Sequence, residues 1–538
     1  MSKMELGQEF AAASRIRFDR RSGATFFVAM VALFGFFLLR NKWTGLTQHY
    51  PDHIYEAFIG TLVAALPFLW VEYRAFPKAF SLLTRATAIG VAFYLAVEPP
   101  EFTLANPDNS NLLAYVDNAY WFGLVAAVVG IWRPSLVFPA AFYTMSTRAV
   151  VEQISGFQMS TLDIRYMMEM AQFLSLCGCG LGVLRLVQSR YSRATDTLDL
   201  DLLGNCLAFV AIGFHLGNYF WSAWAKLFLG PHLWSWVWEN QTQNVMVGAL
   251  KKGVLPSGAF PQLTQLMFDG FGHVVKLSNL FVIAIQLFAV VAAVRMRWLI
   301  ISALAYDAFH IGIYIFGGLL FWPWIWNNGS VIVAARGGRF GWLPKICCII
   351  SILTGGSAML GKSARLAWFD VLDVKISTIQ AEAPDGKWVD VPVSFFLSHS
   401  YSMSHGYYIM ANEAGHYPPS LWGSVPDYDR QVRSGKCDAP KEMTNLETPD
   451  ERQTRLDKIS RFIRAHHMKR LKATWPLSFY VRSHHHPSIP WLYPDFNHLD
   501  LAAVKRYRVV VQSVCLNLIG GQVNEHELKR DEIYVDVQ

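Results

Sequence analysis

Lys226 and His215 stand eleven residues apart in one apolar stretch, Cys206–Gly230, which also carries Asn218 and Ser222. That spacing is about three helical turns, so both side chains fall on nearly one face. A lysine at the centre of a bilayer costs roughly 3 kcal/mol on insertion scales. A chain accepts that cost if the amine reaches water past Gly230-Pro231, or if it has a task inside. Proton abstraction is the task that suits an amine. It requires a neutral nitrogen in water-poor surroundings, which Trp221, Trp224 and Phe228 supply. His215, deeper in the same helix, suits the orientation of a substrate oxygen or a proton relay; the plainer alternative is a core histidine bonded to backbone. Asp307 and His310 form a second pair at i, i+3, with Tyr306 and Tyr314 close in sequence. A carboxylate within a membrane needs a partner, and Lys226, His310 and Arg85 are the candidates. The expected catalytic set is therefore Lys226, His215, His310 and Asp307, with Asn218, Ser222, Trp221, Tyr306 and Tyr314 as substrate contacts. Arg85, Arg148 and Glu169 read as helix-packing pairs or interfacial residues.

The remaining histidines invite a metal reading and do not carry it. His484-His485-His486 cannot deliver three ligands to one ion from a strand, because neighbours point to opposite faces. No H-x-E or HExxH pattern frames them or His466, His467 and His498. They read as surface or turn residues before Pro487, and no metal is expected. Gly317-Gly318 and Gly337-Gly338 lack nucleotide-loop spacing and suit a turn or a close helix approach.

A scaffold must shelter these groups from water. Of 538 residues, 53% are hydrophobic and only 16% charged, too few charges for a soluble chain of this length. The reading is a polytopic membrane protein with a soluble portion, whose partner is the lipid bilayer. The net charge of +7 is met by juxtamembrane positives and implies no nucleic acid. Seven cysteines, most of them in apolar segments and without a CxxC pair, argue against a disulfide framework. Met1–Ala24 is polar and basic, so no cleavable signal is expected.

About ten apolar segments are long enough to span or nearly so: 25–40, 54–72, 79–98, 118–132, 135–151, 166–187, 203–229, 277–294, 298–322 and 343–360. The fourth and fifth, parted by Arg133 and Pro134, also fit one re-entrant hairpin. Lys3, Arg15, Arg17, Arg20 and Arg21 place the N-terminal tail in the cytoplasm. Loop 99–117 falls outside, and Arg185, Arg190, Arg193 and the Arg295/Arg297 turn fall inside. An even count returns the C-terminus to the cytoplasm. Residues 230–276, opening with WSWVWEN, are expected to form one or two interfacial or re-entrant helices on the outer side. Beyond the last span, Val374–Gln380 and Val389–Phe396 read as strands joined through the turn Pro384-Asp385-Gly386. Thr448-Pro449-Asp450-Glu451 reads as a capped helix start, and Tyr507–Leu518 and Ile533–Val537 as closing strands. The expected division is a basic tail at 1–24, a transmembrane domain at 25–360 and a soluble α+β domain at 361–538. The fold class is an all-α polytopic membrane bundle of about ten helices followed by that domain.

Tyr219–Leu227, YFWSAWAKL, resembles the lysine-bearing segment of the vitamin K-dependent gamma-carboxylase and the wider HTTM membrane domain. Ala305–Pro323, AYDAFHIGIYIFGGLLFWP, is similar to a later helix of that family. The resemblance covers roughly 80–360 and is strong over 214–330. It implies that Lys226 stands at the family's active-site base, with a reduced quinone of the menaquinone or vitamin K type as cofactor. In that family the base deprotonates a reduced naphthoquinone, oxygen turns it into a strong base, a glutamate γ-carbon loses a proton and CO2 adds. The animal enzyme has a second lysine where this chain has Ala225, and its peptide-binding part has no counterpart in the C-terminal domain here. The expectation is a carboxylase-like membrane enzyme of lyase or oxidoreductase type, in a bacterial inner membrane with both termini cytoplasmic. The alternative is a non-catalytic scaffold or anchor subunit whose C-terminal domain docks a protein partner. A transporter lacks the expected inverted repeat.

Overall fold

The computed structural model describes residues 19–49, 53–98, 110–155, 162–191, 198–338, 340–355, 363–405, 424–425, 428–429, 448–473, 480 and 486–537. Nearly all of the basic tail, residues 99–109 of the acidic loop, Arg193 and His484-His485 lie outside the described residues.

The membrane part is built from α1 (Arg20–His49), α2 (Ile54–Ala65), α3 (Lys78–Val97), α4 (Ser110–Gly130), α5 (Val137–Ser155), α6 (Leu162–Arg190) and α7 (Leu200–Leu227). These are followed by α8 (Ser235–Glu239), α9 (Asn244–Lys251), α10 (Pro261–Leu287), α11 (Met296–Gly317), α12 (Trp322–Ala335) and α13 (Trp342–Thr354). Six of them, α1, α3, α6, α7, α10 and α11, are long and apolar enough to cross a membrane, and Ile54–Phe68, Asn118–Gly130 and Trp342–Thr354 are shorter apolar helices. α4 and α5 are separate helices joined at Arg133-Pro134.

α7 is the most deeply buried of the six long helices. Its start is set by Asp199, whose carboxylate accepts from the Asp201 and Leu202 amides at 3.0 and 2.9 Å, the N-cap arrangement that satisfies orphan donors. Most of its residues are buried, as befits a central helix, polar ones among them. Gly213 lets α13 close in: a Cβ there would lie 2.6 Å from the Cys348 carbonyl oxygen. Phe173 packs on Phe214 and Arg185 pairs with Asp201, so α6 runs antiparallel to α7. Phe36 packs on Phe173 and Arg40 pairs with Glu169, so α1 runs antiparallel to α6 and parallel to α7.

Two elements differ from the sequence reading. The apolar segment expected at 277–294 is the later part of α10, which starts at Pro261 in the first-turn position that proline favours. Its first turns pack on the C-terminal sheet, with Phe268 against Val374, Ile376 and Leu516. Residues 322–342, left between two spans, hold α12. α11 stops at Gly318, in the left-handed region with φ 66°, and a Cβ there would meet the Val254 carbonyl oxygen at 2.5 Å. Both constraints select glycine.

The C-terminal domain comprises β1 (Phe369–Asp370), β2 (Asp373–Glu382), β3 (Trp388–Asp390), β4 (Ser424–Val425), helix α14 (Pro449–Leu471), β5 (Arg506–Ile519) and β6 (Gln522–Asp536). The main sheet is antiparallel in the order β3-β2-β5-β6. Gly386, with φ 81°, serves the expected Pro-Asp-Gly turn. The second expected strand is short, because Pro392 ends β3 and a 3-10 turn takes Val393–His399. β6 begins at Gln522 rather than 533, and its charged first half pairs with β5 all the same. α14 carries the expected capping box, Thr448 with Glu451. The domain sits at the C-terminal end of α7, so α1 begins at the opposite end of the bundle.

Candidate functional site

The polar side chains of α7 divide between two centres. The inner one gathers His215 and Tyr219 from α7, Tyr306, Asp307 and His310 from α11, and Asn328 from α12. Asn328 joins them: its Nδ2 donates to Asp307 Oδ1 at 2.7 Å and to Tyr219 Oη at 3.1 Å. Because that orientation leaves Oδ1 to accept, the 2.7 Å contact with His215 requires the proton on His215 Nε2. His215 Nδ1 and His310 Nδ1 then face no hydrogen-bond partner among the described residues. Tyr219 stacks on Tyr306 at 3.8 Å, and both imidazoles pack against Trp324. Asp307 also lines a cavity of about 680 Å³ walled by Phe93, Trp322 and Trp326. Of the three candidate partners for Asp307, none is the one observed; Asn328 takes that place, and Arg85 instead lies over the Tyr73 ring at 4.8 Å. Tyr314 is half-buried and stands outside this cluster.

The outer centre is Lys226, at the last turn of α7, about 16 Å along the helix from His215. Its residue is buried at 8% exposure, its amine donates to the Leu366 carbonyl, and it lies 5.5 Å from the Trp236 ring centroid. The chain leaving the bundle passes here. Asn218 Oδ1 accepts from Ala364 N at 2.8 Å, and Ser222 Oγ bonds both Ala364 O and Leu366 N, at 3.2 and 3.1 Å. Trp221 donates to Ile352 O. Tyr306 Oη donates to Ile285 O at 3.0 Å, so four of the five expected substrate contacts are engaged with backbone of the same chain. No carboxylate oxygen among the described residues lies within ion-pair distance of Lys226, although the Asp370 carboxylate is within electrostatic reach. Asp370 is held by Asn240 Nδ2 at 2.9 Å and Trp368 Nε1 at 3.1 Å. Burial pushes its carboxyl up to about 7, against the hydrogen bonds and the Lys226 charge, which favour the ionised form.

Sequence reasoning expected Lys226, His215 and the 307–310 turn to converge; the structure gathers His215, Tyr306, Asp307 and His310 but leaves Lys226 in the outer centre, and Asn328 and Asp370 were missed. Asn327-Asn328 inside an apolar run was the available signal for the first. The second had none, since only the return of the chain to α7 brings it near Lys226. The histidine reading is corrected in part: His466, His467 and His486 are buried, not at the surface, while His498 is exposed as expected; His399, which that reading did not include, is also buried. His467 Nδ1 meets Tyr507 Oη at 2.9 Å. Burial pushes His399 down to about 3 and His466 well below the usual imidazole range, which makes them neutral core rings. Cys515 is disulfide-bonded, against the expectation, while Cys177, Cys179, Cys206, Cys347 and Cys348 are free. Arg148 and Glu169 are paired as expected, with Glu98 and with Arg40 and Arg165.

Comparison with protein-family models, with curated proteins and with solved structures finds no match.

Proposed function

We propose that this chain is an integral membrane enzyme, similar to the vitamin K-dependent gamma-carboxylases, that abstracts a proton with Lys226 beside a lipid-soluble substrate. The observation that carries the reading is the Lys226 amine: buried at the junction of bundle and C-terminal domain, donating to the Leu366 carbonyl, and with no contact ion pair among the described residues. A fully charged, unpaired ammonium is costly to bury; a neutral amine keeps a lone pair for a proton. Asp370 is then the nearby group able to exchange that proton, because its carboxyl titrates near neutrality. A reduced quinone is the expected cofactor, and when bound it would supply electrons to oxygen and a strong base. The cavity at Asp307 fits the class, with aromatic walls for a flat ring and the Asp307 and Glu98 carboxyls for its hydroxyl groups. His215, fixed in one tautomer by Asn328, keeps a lone pair on Nδ1 that would orient a substrate oxygen.

Sidedness is part of this proposal. The basic tail favours a cytoplasmic start for α1, and the C-terminal domain packs at the other end of the bundle. α12 adds one crossing to the ten counted from sequence, so the eleven-helix reading carries the C-terminal domain to the outer side rather than back to the cytoplasm. The disulfide at Cys515 supports this, because disulfides persist in oxidising compartments.

One observation favours the anchor reading instead: Asn218, Ser222 and Lys226 all bind the 364–366 segment, as groups that fasten a domain would. Purified chain in proteoliposomes, supplied with a reduced naphthoquinone, separates the two. Quinol-dependent oxygen uptake that Lys226→Met lowers at least about a hundredfold, with the melting temperature little changed, is the expected result. Absence of uptake by the wild type, or a variant that loses stability and not turnover, leaves the anchor.

A further inference from the structure

A second cavity, of about 1080 Å³, lies among α1, α2, α5 and α6, away from the helices that hold Lys226, His215 and Asp307. Its walls are apolar for most of its length, with Phe68, Phe138, Phe142 and Leu184 among them. From Arg165 to Leu184 it follows α6 for about 28 Å at the helical rise. Its polar end is different in kind. Arg165 Nε donates to Glu169 Oε1 at 2.7 Å, and Arg40 binds the same carboxylate oxygen. A guanidinium carries five donors, and Arg165, which lines the cavity, spends one of them on Glu169. Gly60 and Gly180 line the cavity from facing helices, and a Cβ on either would meet nothing within 4 Å. The space is thus kept open by side chains that are missing rather than by strained packing.

We propose that this cavity binds one acyl-chain amphiphile with an anionic oxygen head, an acyl chain along α6 and its head on Arg165. The length along α6 takes an acyl chain, whether the molecule carries one or two. The guanidinium selects a carboxylate or phosphate over a neutral head, since charge-assisted bonds are the stronger ones. A free fatty acid and an anionic phospholipid share that chemistry.

The test uses the full chain, purified in detergent, stripped of lipid and incubated with oleate, dioleoylphosphatidylglycerol, oleyl alcohol or dioleoylphosphatidylcholine. Native mass spectrometry reads the molecules retained. The expected result is one anionic ligand per chain, with the neutral analogue held at least about tenfold more weakly. Retention of oleate alone assigns a fatty-acid site, and of the phosphatidylglycerol alone a phospholipid site. Gly60→Leu and Gly180→Leu, on separate helices, should each lower retention about tenfold or more by filling the space. Gly270→Leu on α10, where a Cβ also meets nothing, should leave it unchanged. If both cavity variants fail to fold, Arg165→Gln decides, because it should abolish the preference for the anionic head. Equal retention of anionic and neutral amphiphiles, or wild-type retention by folded Gly60→Leu and Gly180→Leu, overturns the proposal.

Discussion

Asn328 accepts at Oδ1 from His215 and donates at Nδ2 to Asp307, so Asn328→Leu strands the buried His215 and the half-buried Asp307 at once. The expected cost is about 2–4 kcal/mol, read as a fall in melting temperature of the detergent-solubilised protein. Tyr314→Phe, at a residue outside the cluster, should change little. Asp370 gives a pH signature. Its folded carboxyl titrates near 7 against an ordinary value of 3.8, so folding favours the protonated form. The contribution to stability is complete below about 4 and is lost as pH rises to about 7. Asp370→Asn removes that slope: wild-type melting temperature should drop more steeply than the variant's between pH 5 and pH 7.5, and parallel curves would contradict the burial argument. At this scale the sequence was legible where cost alone marks a residue. His215, Asp307 and His310 announce themselves as polar groups in apolar runs. Asp370 and the carbonyl of Leu366 do not, since nothing local ties residues 140 positions apart.

Helix ends carry the element-scale account. Gly318 closes α11 in the left-handed region and abuts the Val254 carbonyl, which is why the expected 298–322 span breaks and α12 can start at Trp322. Gly318→Ala should destabilise the fold by about 1–3 kcal/mol, through φ strain and the backbone clash together. Thermal unfolding of that variant beside Gly270→Ala, where a Cβ meets nothing, separates this local effect from general helix propensity. Patterning foretold the capped start of α14 and the β2–β3 turn, because caps and turns are chemical signals of a few residues. It missed α12, an apolar run of 14 residues with two asparagines, shorter than the usual spanning length. It also missed the first half of β6, whose charges face water while its backbone pairs with β5.

For the whole molecule, the decisive arrangement is the packing of the C-terminal domain at the far end of α7 from the start of α1. Composition made a membrane bundle with a C-terminal α+β domain legible; the side on which that domain lies depends on the parity of crossings, and on the proposed eleven crossings it lies outside. Alkaline phosphatase fused after Gln538 should therefore be active, and a green fluorescent protein there dark. Fluorescence at the C-terminus would return the domain to the cytoplasm and remove the support drawn from Cys515. The same packing buries Lys226, since the exiting strand covers the last turn of α7. The measurement closest to the central claim is a density map of the chain in lipid nanodiscs with a non-oxidisable naphthoquinol analogue. The account predicts ring density in the Asp307 cavity with Lys226 free of a contact ion pair; an empty cavity, with Lys226 in a contact ion pair to Asp370, would contradict it.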